Sequence, residues 1–405
     1  MKRLAPLRLL LLIAPLAGLP GAVFAQPPLT LADVIDLAQR QSVAAQQATT
    51  ARETAGWQWH RVRADFRPQL SLVGTLPDFS RAIAPVTQPD GTTDFRPVQL
   101  NNSTLQLAVT QNIGFTGGQV YVASGMQRFD NFIGRQRLYN AQPFSVGFTQ
   151  PLRGFNALAW ARRTEPLRYA EAQRQLSLDR ETIAQGTTER FFDVLLQQQQ
   201  AALATQNERL ATELLRLGRE KLTLGRLAEA DVLLLELNQI RAQQTRQQAE
   251  LTAQTAALEL KTFAGLAPDQ PLPLAVPAPA PAPPVAPDAA LAEARQRRPE
   301  TIGFQRRLLE ADRGVAQARF SGGLQASLTA NLGYINRAET LWTAYLSPQN
   351  QQQIRLAFAL PIIDWGRQRA AVKLAEAARE LARRTIAKYR EELRIPTSNQ
   401  RKVLY

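Results

Sequence analysis

His60 is the only histidine in 405 residues and there is no cysteine, which leaves little with which to do group chemistry. Imidazole metal clusters need several such side chains, and Ser-His-Asp catalysis would have to rest on His60 alone. Disulfide frameworks, thiol metal sites and N-terminal lipidation all need cysteine. His60 stands in a helical stretch beside Trp57 and Trp59 and reads as a surface or packing residue. No acid-base pair or nucleophile stands out at a strand-to-helix turn, so the expectation is no enzyme, with no catalytic, cofactor-binding or metal-binding residues.

The residues that do carry information alternate. Leu324, Ala326, Leu328, Ala330, Leu332 and Tyr334 fall on one face of a strand, and Gln325, Ser327, Thr329 and Asn331 on the other. Eleven residues of period two suit a strand that crosses a bilayer with one face to lipid and one to water. A shorter alternation, Leu70, Leu72, Gly74 and Leu76, stands 254 residues earlier and likewise ends a long helical segment.

The N-terminus points to export. Lys2, Arg3 and Arg8 precede an apolar run from Leu9 to Ala17, and Val23 and Ala25 precede Gln26. This reads as a cleavable signal, residues 1–25, because the run is too short for a span and is broken by Pro15 and Pro20. Its removal lowers the formal charge from +14 to +11. The basic residues are dispersed among Gln and Ala rather than clustered with aromatics, so a solvated surface is expected and no nucleic acid. Any membrane entry beyond the signal must use β-strands, since no later segment is long and apolar enough for a helix.

The chain from Leu29 to Phe66 reads as one helix, opening on Thr30 with Asp33 as a weak cap signal and stopping at Arg67-Pro68. Shifted by 254, this block overlays the second half with Phe66 on Phe320 and Leu70 on Leu324. A shift of 210 places Phe148 on Phe358, Pro151 on Pro361 and Phe155 on Trp365. Two copies of helix, strand, strand and helix follow, the first with 44 extra residues between Leu76 and Phe144. Those extra residues read as a hairpin turning at Gly117-Gly118, which either extends the sheet or decorates its rim.

The expected organisation is a first repeat over 26–267, a Pro/Ala-rich linker over 268–287, a second, incomplete repeat over 288–394, and an aberrant tail over 395–405. In the first repeat, strands lie at about 69–76 and 144–150, the extra hairpin at about 104–126, and helices at about 157–263. The helices break at Gly218 to Gly225 into two antiparallel rods, with Leu210, Leu214 and Leu217 on one face and Leu233, Leu237 and Ile240 on another. Strands of the second repeat lie at about 324–334 and 354–360. The first copy continues 114 residues past Pro151 and the second 44 past Pro361, so a shortened C-terminus lacking a second helix-helix tip is expected.

Together these segments resemble the outer-membrane efflux protein family, the TolC-like channels. Leu29 to Ala38 is similar to the family's opening helix, and Arg298-Pro299-Glu300 to the start of its second copy. Leu360-Pro361-Ile362-Ile363-Asp364-Trp365-Gly366 resembles its strand-to-helix junction, with Gln150 to Phe155 as the first-copy counterpart. Leu224 to Leu233 resembles the helix-helix tip at which members meet a periplasmic adaptor.

The resemblance implies a mainly α fold with membrane β-strands, each chain giving four strands to a trimeric 12-stranded barrel. It implies a homotrimer in the outer membrane of a Gram-negative bacterium, extending into the periplasm, in contact with outer-membrane lipid, a periplasmic adaptor and an inner-membrane pump. It places adaptor contact at Leu224, Gly225 and Arg226, and gating charges at Lys221, Arg226, Glu229 and Asp231. Pro151, Pro361, Asp364, Trp365 and Gly366 mark the strand-helix junctions. The competing expectation is a periplasmic coiled-coil adaptor without a pore.

Overall fold

The computed structural model describes residues 28–279, 284 and 286–392; the expected signal and tail lie outside the described residues. The chain divides into two compact units, one of residues 1–43 and 183–281, the other of residues 44–182 and 282–405.

In the first unit, helix α1 (Leu31–Gln41) opens on a complete capping box. The Asp33 amide donates to Thr30 Oγ1 at 3.3 Å, and the Thr30 amide donates to the Asp33 carboxylate at 3.0 Å. The single helix expected through Phe66 is instead interrupted at Ser42, whose backbone is extended, and α2 (Val43–Asp65) follows. No proline or glycine marks this break. Its surroundings do: the backbone of Gly265 packs so near that a β-carbon there would lie 2.7 Å from the Gln41 carbonyl oxygen. The break lets Val34 and Ala38 bury fully.

Helix α3 (Ala157–Thr223) enters this unit at Ile183 and pairs antiparallel with α4 (Glu229–Ala264). Arg219 meets Glu236, Arg246 meets Glu208, and Gly186 lies against Phe263. Phe191, Val194 and Leu260 form the dry seam. Both helices end on a left-handed glycine, Gly225 at φ 66° and Gly265 at φ 74°. In each case the glycine amide and the next amide return to carbonyls three and five residues back, satisfying groups the helix end leaves open. The front of the Pro/Ala tract is pinned to the same unit, because Leu29 exchanges backbone hydrogen bonds with Pro273 and Ala275 at 2.7 and 2.9 Å.

The second unit is built on an antiparallel sheet. Its strands are β1 (Gln69–Thr75), β2 (Phe79–Thr87), β3 (Thr93–Ile113), β4 (Gly118–Asn131), β5 (Gln136–Arg153), β6 (Gln325–Ala338) and β7 (Gln349–Ala359). The order is β1-β3-β4-β5-β6-β7, and β2 pairs with the upper half of β3 in line with β1. The sheet therefore has six lanes, the first shared by β1 and β2. The extra hairpin extends the sheet rather than decorating it, and the lanes number six where the resemblance implies four.

Around the sheet, α5 (Pro287–Arg297) starts with proline at its first turn, where the missing amide proton costs nothing. Helices α6 (Pro299–Ser321) and α7 (Arg367–Glu392) run antiparallel, with Arg319 paired to Glu376, Arg379 to Asp312 at 2.7 Å, and Phe304 stacked on Tyr389. The first part of α3 is clamped to α6 by a partly buried network. Arg306 bridges Glu171 and Glu310, and Arg168 reaches Glu310 at 2.7 Å and Glu165 at 3.1 Å. Burial pushes the Glu310 carboxyl up, but hydrogen bonds from Arg168 and Arg306 outweigh it and hold the group below its ordinary value. The Glu171 contact raises Arg306 further above its already high value.

Candidate functional site

Residues directly opposite in an antiparallel pair share a face, so the register sorts every lane into two sets. One row runs Leu70, Val109, Val122, Val146 and Leu332 across five lanes to Gln352 on β7. A parallel row runs Val120, Phe148, Ala330 and Ile354. The same face carries Leu72, Leu107, Leu328, Leu356 and Phe358. The opposite face carries Gln69, Thr110, Tyr121, Gly147, Asn331 and Gln353 in one row, and Ser71, Ala108, Ala123, Ser145, Gly333 and Gln351 in another.

The apolar face is bare. Leu70 is 69% exposed, Leu332 56% and Ile354 77%, although these side chains are of the kind that folding hides from water. A contiguous exposed apolar band of this width marks a membrane or an interface. The lanes that bear it are 7 to 21 residues long, with the shortest, β1, continued by β2. No strand among the described residues pairs with the outer edges of β1 and β7, which leaves a row of ladder groups open on each. Among the described residues, no helix is long and apolar enough to cross a membrane.

The two strand-to-helix junctions differ. Pro151 does not end β5, which runs on to Arg153; it sits at a shift of register between Pro151 and Arg153, where the ladder is already interrupted and a missing donor is tolerated. Asn156 then caps α3, accepting from the Ala159 amide at 2.9 Å and donating to the carbonyls of Gly114 and Phe115 at 3.1 Å. Pro361 does follow the end of β7. Asp364 accepts from the amides of Gln368 and Gly366, each at 2.9 Å, and these bonds hold its carboxyl below the ordinary value. Trp365 and Gly366 take left-handed backbone, φ 53° and 84°, to turn the chain into α7. Trp365 is 95% exposed and Ile362 91%, so none of the described residues covers these side chains.

The helical tip is the turn from Leu224 to Ala228. A β-carbon on Gly225 would meet nothing within 4 Å, so its glycine is required by the positive φ alone. Lys221 lies in the last turn of α3, and Glu229 and Asp231 in the first turn of α4, where each charge offsets the dipole of its own helix end. No ion pair among the described residues joins Lys221, Arg226, Glu229 or Asp231; the nearest bridge between the two rods is Arg219 with Glu236.

A larger feature escapes a reading based on local faces. Leu196, Leu203, Leu210 and Leu217 recur every seven residues along α3, and Leu224 keeps the spacing into the turn, each at least 40% exposed. They point away from the α3–α4 seam. The seven-residue spacing is legible in the sequence, and it leaves a row of exposed leucines along α3.

Solved structures share this arrangement. The Campylobacter jejuni CmeC outer membrane channel matches at a TM-score of 0.62 and 17% identity, over 90% of this chain and 67% of that one. The outer membrane protein VceC of Vibrio cholerae matches at 0.58 and 15%, over 90% and 75%. The channel-forming protein CusC matches at 0.59 and 14%, over 90% and 72%. The chain has the TolC-like outer-membrane channel fold. The four lanes expected from the sequence repeat correspond to β1, β5, β6 and β7, and β3 with β4 lie between the first two of them. No curated protein matches by sequence. One family model, described as the Sigma-54 DNA binding domain, matches residues 366–403, a small fraction of the chain. Its described part is α7, which the TolC-like fold uses as the partner of α6.

Proposed function

We propose that the chain is a subunit of an outer-membrane exit duct through which solutes pass without chemical change. The observation that carries this reading is the six-lane sheet, apolar on one face, polar on the other and unpaired at both edges. Lipid offers no hydrogen bonds to an open edge, so such a sheet in a bilayer must close on other copies. The exposed leucine heptad of α3 supports assembly through the helices as well.

The working unit is a homotrimer in the outer membrane of a Gram-negative bacterium, reaching into the periplasm. An inner-membrane pump supplies the energy through a periplasmic adaptor, in an efflux or type I secretion system. Leu224, Gly225 and Arg226 meet the adaptor; Leu224 is 69% exposed at the turn. Lys221, Glu229 and Asp231 stand beside that turn, at helix ends whose dipoles account for their signs. Reconstitution of the full chain into a planar bilayer tests it: discrete conductance steps are expected, whereas a protein recovered only as a water-soluble monomer that gives no steps contradicts a duct and favours a scaffold without a pore.

A further inference from the structure

We infer that β3 and β4 are wall strands of the membrane barrel, so that each copy lays six lanes and three copies close an 18-stranded ring. This rests on the exit-duct reading above and alters its bore.

Three features of the sheet carry the inference. The first is position: β3 lies between β1 and β4, and β4 between β3 and β5, so β1 has no hydrogen bond to β5 and the two strands cannot be withdrawn without parting the sheet. The second is the face pattern. Leu105, Leu107 and Val109 of β3 and Val120, Val122 and Met126 of β4 share the face of Leu70, Val146 and Leu332, while Thr110 and Tyr121 share that of Asn331 and Gln353. A decoration standing off the bilayer has no need to keep that alternation in register with its neighbours.

The third is polarity. Every neighbouring pair is antiparallel, so with six lanes β7 runs opposite to β1. The β7 edge of one copy therefore meets the β1 edge of the next in the antiparallel sense that runs through the sheet. Leu70 and Leu72 on one edge and Ile354, Leu356 and Phe358 on the other present apolar side chains to the same side. An odd lane count would force a parallel seam.

Barrel diameter grows nearly in proportion to strand number at fixed tilt. With strands about 4.7 Å apart and tilted about 40°, 12 strands enclose a backbone diameter of about 24 Å and 18 strands about 35 Å. The duct's outer mouth is thus about 1.5-fold wider than four strands per copy would make it.

The absence of cysteine lets each position be probed singly. Full-length Val109→Cys, Val122→Cys, Val146→Cys, Leu332→Cys and Thr110→Cys proteins would carry one fluorophore each in vesicles containing nitroxide-labelled phospholipid. Quenching of the first four to a similar extent, with loss of quenching at Thr110, is the expected result. Quenching at Val146 and Leu332 but not at Val109 and Val122 would leave the duct standing and overturn the six-lane wall. Failure of all four to quench would overturn the duct reading with it. Neutral polymers entering from the outer face give a second measure: a cutoff well above what inward side chains leave open in a ring of about 24 Å backbone diameter supports the wider ring, and a cutoff no larger than that overturns it.

Discussion

The two strand-to-helix junctions are held differently. Four lanes of the sheet precede α3, and there Asn156 ties the junction to the carbonyls of Gly114 and Phe115. Two lanes precede α7, and there Leu360, Ile362, Ile363 and Trp365 stand in the open. Apolar side chains are exposed at both junctions, Phe115 at 82% and Leu152 at 58% in the first, so the difference lies in the polar tie: Asn156 binds the first junction to a neighbouring turn, whereas Asp364 binds only its own turn.

If the added lanes and the repeat lanes face the same lipid, Val109→Arg in the first repeat and Leu332→Arg in the second should cost alike, about 2–4 kcal/mol each for a cation near the bilayer midplane. Denaturant unfolding from lipid vesicles reads this, and a Val109→Arg protein as stable as the parent breaks the equivalence.

The clamp between α3 and α6 should weaken by about 1–2 kcal/mol on Arg306→Ala, which strands Glu171 and Glu310. Its pH dependence has a definite sign. Glu310 is held below its ordinary value in the folded chain, so its contribution is complete above the unfolded glutamate value and lost as pH falls through the lower, folded one. Glu310→Gln should flatten that part of the acid-unfolding curve; an unchanged curve would show that the carboxylate does not supply it.

At the junctions, Asn156→Ala should cost about 1–2 kcal/mol, since one side chain caps α3 and ties down two carbonyls. Asp364→Ala should instead be felt locally, as faster amide exchange at Gly366 and Gln368 with little change in global stability. A larger global loss from Asp364→Ala than from Asn156→Ala would reverse the contrast. At the tip, Gly225→Ala meets no atom and costs only the left-handed backbone, about 1 kcal/mol by thermal unfolding.

Much of this was readable from period and punctuation. The alternation from Leu324 to Tyr334 becomes β6, the glycine at 225 ends α3, and Arg67-Pro68 ends the helical stretch before β1. What escaped the sequence depends on partners. Alternation at Thr104 to Thr110 reveals a strand but not the neighbour it pairs with, so the hairpin's entry between β1 and β5 could not be read. The break at Ser42 comes from the backbone of Gly265, more than 200 residues away in sequence, and leaves no local mark. The leucines of α3 show helical spacing, yet only the packed hairpin shows that they face outward.

The central claim is a sheet with six lanes per copy that closes edge to edge in lipid. Electron cryomicroscopy of the full-length oligomer in lipid nanodiscs tests it most directly by counting strands in the ring. Three copies with β7 of each hydrogen-bonded to β1 of the next, 18 strands in all, are what the account predicts. A ring of 12 strands with β3 and β4 folded outside the wall, or a sheet that remains open in water, would contradict it.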